Sequence, residues 1–198
     1  MLKNILIISE AIAFFLFVIL LFTYDSGLLE RFDRAMSDLF SGNGFIEFFQ
    51  HFATTRVIML IGSILVIFFA YKQDYLKILF SAYAIFGGHY FNQILKYVVQ
   101  RQRPDISGQY STFSFPSGHA MVGILYIFTI AYFISSATAS KAVKFIIWII
   151  AIVFTTLVGL SRIAGERHFA SDVVAGWALG FACFVFLVHW YRKGKSAE

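Results

Sequence analysis

The chain has 198 residues and a formal net charge of +5, and 59% of its residues are hydrophobic against 14% that are charged. This apolar share, with a mean hydropathy of +0.75, lies far above that of a soluble domain and predicts an integral membrane protein with one domain over residues 1–198. The basic residues do not cluster on a soluble face, so we expect no nucleic acid partner, and the lone Cys183 excludes a disulfide framework.

Six apolar segments predict an all-α membrane bundle of six transmembrane helices, because a spanning chain must satisfy its backbone hydrogen bonds internally. The predicted spans cover about residues 5–23, 55–71, 76–98, 119–136, 143–160 and 173–191. The first segment resembles a secretory signal peptide. Its apolar run is long enough to cross a bilayer, however, and no small-residue cleavage site follows it, so we predict a retained helix.

Residues 24–54 form the longest polar interval and separate the first predicted span from the second. Apolar residues recur in this interval at helical spacing, with charged residues between them: Leu28, Leu29, Phe32, Met36, Leu39 and Phe40. The pattern predicts an amphipathic helix that lies in the membrane interface and ends at Gly42 and Gly44.

The loops on the two sides of the predicted bundle carry equal numbers of lysine and arginine, so the positive-inside rule does not decide the orientation by count. The turns at residues 72–77 and 141–144 and the C-terminal tail are rich in lysine. Several cations on the opposite side belong instead to polar clusters with another role. We therefore expect both chain termini to face the cytoplasm.

These polar clusters fall at the ends of predicted helices. Residues 96–104 close the third span, residues 116–119 open the fourth, and residues 161–172 connect the fifth to the sixth. Because successive spans alternate in direction, all of these helix ends face the same side of the membrane. The sequence therefore predicts that three separate segments build one polar site.

The cations of the clusters suit the binding of a dianionic phosphoryl group. Lys96 and Arg103 are seven residues apart and so share one helix face, and Arg162 adds a third positive charge with forked donors. Ser117 and Gly118 stand at the mouth of the fourth helix, where free backbone N–H groups favour an anion. The pattern predicts an anion site.

Two histidines and a carboxylate supply the groups that phosphoryl chemistry needs. His168 and Asp172 are four residues apart at the start of the sixth span, so the carboxylate can fix the tautomer and orientation of the imidazole. The other ring nitrogen is then free to attack. His119 is a second imidazole, which titrates near neutrality and can protonate a leaving oxygen.

Several of these residue types also have a purely structural interpretation. A lone cation at the end of a membrane helix is usually an interfacial anchor, and we assign Arg101 and Arg167 to this class, with Arg101 able to touch a headgroup at the rim. Histidines without an evident partner are interpreted as structural: His51, His89 and His189. Glu10 has no explanation from the sequence.

The three clusters resemble the motifs of the type 2 phosphatidic acid phosphatase superfamily, which read K-x6-R-P, P-S-G-H and S-R-x5-H-x3-D. They stand at residues 96–104, 116–119 and 161–172, in the family's order and spacing. The chain's size and Gly118 resemble small bacterial members of the phosphatidylglycerophosphatase B type. Members dedicated to undecaprenyl pyrophosphate often carry Asp at that position, although both types act on that lipid. Residues 164–167 depart from the family's tyrosine- and leucine-containing stretch, which bears on headgroup specificity.

The resemblance implies a role for each motif residue. It implies His168 as the nucleophile that forms a phosphohistidine, Asp172 as its orienting carboxylate and His119 as the general acid. The residues that it implies for holding the phosphoryl oxygens are Lys96, Arg103, Ser117, Gly118 and Arg162. It also implies no metal and no other cofactor, and the sequence contains no carboxylate cluster suited to Mg²⁺.

The expected function is hydrolysis of a phosphomonoester or pyrophosphate lipid at the outer boundary of a bacterial cytoplasmic membrane. The expected partners are therefore the bilayer and a phosphorylated lipid: undecaprenyl pyrophosphate, phosphatidylglycerol phosphate or phosphatidic acid. Two alternatives stay open, a lipid phosphotransferase and a lipid-binding or transport protein without turnover. The sequence does not indicate an oligomeric state.

Overall fold

The computed structural model describes residues 2–196, which form helices and no strand. The first four helices are α1 (Leu2–Thr23), α2 (Gly27–Phe40), α3 (Gly44–Phe48), which runs into a 3-10 turn (Phe49–Ala53), and α4 (Thr55–Tyr71). The remaining helices are α5 (Tyr75–Ala82), α6 (Gly88–Val99), α7 (Gly118–Ala137), α8 (Lys141–Ala164) and α9 (Ala170–Lys195). A π turn (Tyr83–Gly87) joins α5 to α6, so residues 75–99 form one unbroken helical run.

Four of these helices, α1, α7, α8 and α9, are long and apolar enough to cross a membrane by themselves. A fifth candidate is α4 taken together with the short helices before it, from which it is bent by 45°. The third predicted span corresponds to the run from α5 to α6. The all-helical membrane protein predicted from the sequence is confirmed, and each predicted span coincides with a helical segment.

Helix α7 lies at the centre of the bundle. In its apolar window 72% of the residues are buried inside the protein, against 11% in α1, which presents most of its surface to lipid. The half of α7 farther from the motifs packs in an aromatic cluster around the fully buried Phe80, whose ring contacts Phe133, Phe184 and Tyr191. Each such ring pair contributes about 1 kcal/mol beyond its buried area. This cluster forms part of the hydrophobic core in the half of the bundle opposite the motifs.

The amphipathic helix predicted between the first two spans is α2. Ser26 caps it by accepting a hydrogen bond from the backbone N–H of Leu29, and its apolar residues Leu29 and Met36 pack against the bundle. The one buried residue of α2 is charged, however: Asp33 is only 6% exposed. A charge on the inward face of an interfacial helix requires partners, and these lie at the site described below.

Two glycines let α9 approach α7 closely. A Cβ atom on Gly176 would lie 2.7 Å from the carbonyl oxygen of Ser117, and one on Gly180 would lie 2.5 Å from that of Met121. Small residues four apart allow this backbone contact between membrane helices. As a result the first turn of α9 lies beside the first turn of α7, and the residues that precede both turns meet.

Candidate active site

The three motif segments converge at one end of the bundle, where backbone hydrogen bonds tie them together. The Ser117 N–H donates to the carbonyl of Asp172 at 3.0 Å, and the Ser114 N–H donates to the carbonyl of Arg101 at 2.8 Å. They enclose a cavity of about 470 Å³. Six of the predicted site residues line it: Lys96, Arg103, Gly118, His119, Arg162 and His168. The other two, Ser117 and Asp172, are fully buried beside it.

His168 stands in the turn before α9, between a carboxylate and a guanidinium. Its Nδ1 lies 3.4 Å from Oδ2 of Asp172, and its Nε2 lies 3.1 Å from Nη1 of Arg103. Since a guanidinium only donates, Nε2 is the accepting nitrogen and Nδ1 carries the proton. The ring therefore presents a lone pair on the side of Arg103 and an N–H on the side of Asp172.

The imidazole of His168 is held neutral by its surroundings. Burial lowers its pKa well below the ordinary value, and the positive charges of Lys96, Arg103 and Arg162 lower this pKa further. Protonation would place a fourth positive charge among these cations, in a medium that solvates charge poorly. The ring can therefore act as a nucleophile without first losing a proton.

Asp172 is in the first turn of α9, where a negative charge is favoured by the helix dipole. Its Oδ2 accepts the backbone N–H of Phe169 at 3.0 Å and also the hydroxyl of Ser114. Its Oδ1 accepts from Nη1 of Arg101 at 2.6 Å. Both oxygens are thus held in place, which fixes the carboxylate that faces His168.

Lys96 and Arg103 are predicted to hold phosphoryl oxygens, and in the structure both also hold the loop between α6 and α7. Lys96 donates to the carbonyls of Phe113 and Ser114, which leaves one of its three N–H groups for the cavity. Arg103 donates to the carbonyls of Thr112 and Arg167, each at 2.6 Å, besides its contact with His168. These two cations therefore hold the wall of the cavity in place and also give the cavity positive charge.

Arg162 projects from the last turn of α8 and is 1% exposed. Its Nη1 donates to Oε1 of Gln50 at 2.8 Å, and Gln50 in turn donates to Oε1 of Glu47 at 3.1 Å. Its Nε is buried and has no hydrogen-bond partner within residues 2–196. A cation with an unmet donor at the wall of a cavity is suited to an anion.

The start of α7 leaves further donors unmet. Ser117 occupies the cap position, yet its hydroxyl makes no capping bond and, in the part of the chain that the structure describes, has no partner at all. The next residue must be small, because a Cβ on Gly118 would lie 2.9 Å from Oδ1 of Asn92. This helix mouth, with His119 in the cavity wall, matches an anion better than a neutral ligand.

The region that the sequence motifs identify is also the region matched by a family model. The model of the PAP2 superfamily matches residues 74–196, which contain all three motifs. The chain belongs to the PAP2 superfamily. The resemblance drawn from the motifs is therefore confirmed, and with it the enzyme class, phosphatase, at the level of the family.

Two relatives illustrate this membership. Phosphatidylglycerophosphatase B of Bacillus subtilis (strain 168) is 43% identical over 101 residues, an alignment that spans 49% of this chain and 49% of that protein. The crystal structure of a transmembrane PAP2-type phosphatidylglycerolphosphate phosphatase from Bacillus subtilis aligns with a TM-score of 0.78 and 28% identity. That alignment covers 93% of this chain and 96% of the other, so it includes the region before the motifs.

Sequence reasoning missed Ser114 and Asp33 of this candidate site and misassigned Arg101. Ser114 was not singled out, although its hydroxyl donates to Asp172 and lies 3.4 Å from Nδ1 of His168. The assignment of Arg101 to interfacial anchors is wrong: its side chain is 9% exposed and binds Asp172. The cause is local, because α6 ends at Val99 and the next residue, Gln100, has a left-handed conformation with φ of 56°, which redirects the chain after it.

One of the three histidines that were interpreted as structural, His189, has a partner. Its Nδ1 lies 3.2 Å from Oε2 of Glu10, the residue for which the sequence gave no explanation. The pair joins α1 to the far end of α9, away from the cavity. Among residues 2–196 no group of three or more His, Cys, Asp or Glu side chains is arranged to hold a metal ion.

Proposed function

We propose that the chain is a lipid phosphate phosphatase that hydrolyses a phosphomonoester or pyrophosphate lipid through a phosphohistidine. One observation carries the proposal: a neutral His168 has its accepting Nε2 at a cavity lined by Lys96, Arg103 and Arg162, and its Nδ1 beside Asp172. A nucleophile, an orienting carboxylate and cations for a dianion are the parts that metal-free phosphoryl transfer requires.

In the first step of the proposed reaction, Nε2 of His168 attacks phosphorus. The bond between phosphorus and the leaving oxygen breaks with its electron pair, and His119 gives that oxygen a proton. The imidazole gains positive charge as the P–N bond forms, and Asp172 stabilises that charge through Nδ1–H. The first product is a lipid alcohol from a monophosphate, or a lipid monophosphate from a pyrophosphate.

In the second step, water attacks the phosphorus of the phosphohistidine. The P–N bond breaks and returns its electron pair to Nε2, while His119 takes a proton from the attacking water. Inorganic phosphate leaves, and both histidines return to their starting states. Among residues 2–196, Arg162 Nε and the hydroxyl of Ser117 are buried donors without a partner that would bind the phosphoryl oxygens in both steps. The first N–H groups of α7, which have no acceptor within their own helix, would add to this binding.

The contact between Arg103 and His168 sets a condition on the first step. Nη1 of Arg103 lies 3.1 Å from Nε2, the nitrogen that attacks. A phosphoryl oxygen must therefore take over this N–H before Nε2 can reach phosphorus. The exchange also gives Arg103 its role in binding, since the guanidinium moves from the nucleophile to the substrate.

The substrate that we propose first is phosphatidylglycerol phosphate, because both relatives are named for that chemistry. Undecaprenyl pyrophosphate and phosphatidic acid follow, since each places a phosphate at a membrane surface while its tails stay in lipid. The cavity lies at one end of the bundle, as such an amphiphile requires. With both termini in the cytoplasm, this end faces the outside of a bacterial cytoplasmic membrane.

Phosphate release by the detergent-solubilised full chain, measured with each of the three lipids, tests the proposal. We expect release with at least one lipid and a loss of at least about 10⁴-fold in His168→Ala, the scale seen when a nucleophile is removed. Asp38→Asn, an exposed substitution on α2, is the matched control and should keep full activity. Wild type should also yield an acid-labile phosphoprotein that His168→Ala lacks.

Other outcomes would contradict the proposal. Full release by His168→Ala would exclude that residue as the nucleophile. Labelled phosphate found on an acceptor lipid, and not in solution, would identify a phosphotransferase. Tight lipid binding without turnover in wild type would identify a binding or transport protein. Activity that is lost in a chelator and restored by Mg²⁺ would contradict a metal-free mechanism.

A further inference from the structure

We propose that Arg101 and Asp33 are positioning residues for the reaction, and that they couple the interfacial helix α2 to the nucleophile by setting the orientation and charge of Asp172. The inference rests on the proposed role of His168. Neither residue belongs to a PAP2 motif as the sequence presents them. Arg101 is between two motif positions, and Asp33 is outside the 74–196 region that the family model matches.

The guanidinium of Arg101 bridges two carboxylates. Its Nη1 donates to Oδ1 of Asp172 at 2.6 Å and to the hydroxyl of Ser171 at 2.8 Å. Its Nη2 donates to Oδ2 of Asp33 at 2.9 Å. The planar fork fixes the directions of these bonds, so the position of one carboxylate constrains the other.

The same guanidinium is stacked between aromatic rings. It lies 4.2 Å from the ring centre of Phe169, which precedes α9, and 5.0 Å from that of Tyr24, which follows α1. Nη2 also donates to the carbonyl of Tyr24 at 3.3 Å. The side chains of Arg101 and Asp33 are 9% and 5% exposed, and in such surroundings hydrogen bonds between charged groups are stronger than they are in water.

Asp33 completes the link from α2 to α9. One of its oxygens accepts the backbone N–H of Ser171 at 2.7 Å, and the other accepts the hydroxyl of Ser171 at 2.7 Å. The carboxylate therefore holds the residue next to Asp172 as well as Arg101. Through these bonds the first turn of α9 is fixed to α2, which packs at the membrane interface.

Stability alone is a weak explanation for this arrangement. Burying three charges in a row costs desolvation free energy, and replacing such networks by apolar residues is often neutral or stabilising. Their arrangement has a different consequence. Arg101 neutralises part of the charge of Asp172, and Asp33 neutralises part of the charge of Arg101, so the two act in opposite directions on the carboxylate that faces His168.

Because Arg101 and Asp33 have opposite effects on Asp172, removing one or the other should shift the protonation pH of the His168–Asp172 pair in opposite directions. Without Arg101, Asp172 attracts a proton more strongly, so the His168–Asp172 pair is protonated at a higher pH. Without Asp33, the full charge of Arg101 acts on Asp172, so the pair is protonated at a lower pH. Removing both residues restores a balance close to that of wild type. A purely structural role would give shifts of one sign or no shift.

The charged and titratable groups that face the His168–Asp172 pair come from every element around it. They are Lys96 of α6, Arg101 and Arg103 of the following loop, His119 of α7 and Arg162 of α8. The proposed experiment changes only Arg101 and Asp33 and leaves the others in place. The shifts therefore report on these two residues against a constant background.

The experiment titrates the ring nitrogens of ¹⁵N-histidine-labelled full chain in detergent, with His168 assigned from the spectrum of His168→Gln among five histidines. We expect Arg101→Gln to raise the titration pH of His168 by about one unit. Asp33→Asn should lower it or move it below the measurable range, and the double variant should lie within about half a unit of wild type. Arg101→Lys keeps the positive charge and should not raise the titration pH of His168.

Phosphate release measured on the same samples provides the second readout. We expect kcat of Arg101→Gln to fall by about tenfold to 100-fold, the scale of a misplaced catalytic group, with KM nearly unchanged. Asp38→Asn is the control for Asp33→Asn, since Asp38 is an exposed carboxylate of the same helix. It should change neither the titration nor kcat.

The two proposals fail in distinguishable ways. If wild type releases no phosphate, the proposed function fails, while the titration still tests the charge coupling. If wild type is active but Arg101→Gln and Asp33→Asn shift His168 in the same direction or not at all, the coupling is overturned and the function stands. If Arg101→Gln does not fold, the double variant and Arg101→Lys decide, and a shift of more than one unit in the double variant would overturn the coupling.

Discussion

The two sides of the cavity differ in how completely their polar groups are satisfied. On the carboxylate side, formed by Asp172, Ser114, Arg101 and Asp33, each side chain has hydrogen-bond partners within the protein. On the phosphoryl side, formed by Arg162, Ser117 and Gly118, the Nε of Arg162 and the hydroxyl of Ser117 are buried and have no partner among the described residues 2–196. One side is complete in the protein, and we propose that a phosphoryl group completes the other.

This difference separates two tasks of a catalytic site. A saturated network fixes its members and can hold the nucleophile in one tautomer and orientation. Unmet donors cost free energy in the free protein and recover it when a phosphoryl group binds. Substitutions on the carboxylate side should therefore act mainly on kcat, whereas those on the phosphoryl side should also weaken the affinity for phosphate-like ligands. A substitution that removes a charge on either side should in addition move the pH profile.

The largest effect on the phosphoryl side is expected for Arg162→Gln. Loss of its donors should lower kcat/KM by about 10² to 10³, the cost of removing a group that stabilises developing charge. Because a positive charge near His168 is also lost, the pKa of that imidazole should rise, and the acid limb of the kcat/KM profile should move to higher pH. Only the neutral imidazole attacks, so wild type should keep activity to lower pH than the variant.

Arg162→Lys is the control that separates charge from geometry. It keeps a positive charge and should leave the acid limb near its wild-type position, while the loss of the guanidinium fork lowers kcat/KM. An acid limb that moves equally in both variants would show that the charge of Arg162 does not set the pKa of His168. The measurement is phosphate release from about pH 4 to 9, which brackets the ordinary pKa of histidine.

Two buried serines, three residues apart, provide a matched comparison of the sides. Ser114 and Ser117 are both 0% exposed, but within the described part of the chain only the hydroxyl of Ser114 has a hydrogen-bond partner. Ser114→Ala should lower kcat about tenfold or more, because Asp172 loses a donor and His168 is held less firmly. It should also lower the free energy of unfolding by about 1 kcal/mol or more, since a buried carboxylate oxygen loses a hydrogen bond.

In the absence of a ligand, Ser117→Ala should not destabilise the protein as Ser114→Ala does. Removing an unpartnered buried hydroxyl should leave the free energy of unfolding unchanged or raise it by about 1 kcal/mol. Inhibition by vanadate, a mimic of five-coordinate phosphorus, should weaken about tenfold, since the site loses one donor to the anion. Thermal unfolding in detergent and vanadate competition check both. A Ser117→Ala that is less stable than Ser114→Ala would reverse the assignment of the two sides.

The sequence predicts the phosphoryl side better than the carboxylate side, for a physical reason. The apolar spans and the spacing of Lys96, Arg103, His119 and His168 are local patterns, and alternation of the helices is enough to bring them to one face. On the carboxylate side, the bond from Arg101 to Asp33 joins residues 68 apart, and the bond from Ser171 to Asp33 joins residues 138 apart. Such pairs depend on how α2 and the short helices pack, which no local period encodes.

Arg101 illustrates the same limit within a single turn. From the sequence alone, Arg101 is interpreted as a cation that follows a membrane helix, and most such cations anchor the helix at the interface. Its inward direction follows from the left-handed Gln100, a conformation that is uncommon for residues other than glycine. The residue type therefore gave no indication of the turn. Asp33, which is buried on the otherwise amphipathic α2, indicates that a cation must lie next to it.

The smallest effect is expected for the ion pair of Glu10 and His189, which lies outside both sides of the cavity. The two side chains are each 24% exposed, and their 3.2 Å contact joins α1 to α9. Glu10→Gln should leave kcat, KM and the acid limb unchanged, and it should change the free energy of unfolding by less than about 1 kcal/mol, as for other partly exposed pairs. A large loss of activity would mean that packing between α1 and α9 controls the first turn of α9. The carboxylate side would then depend on the far end of the bundle as well as on α2.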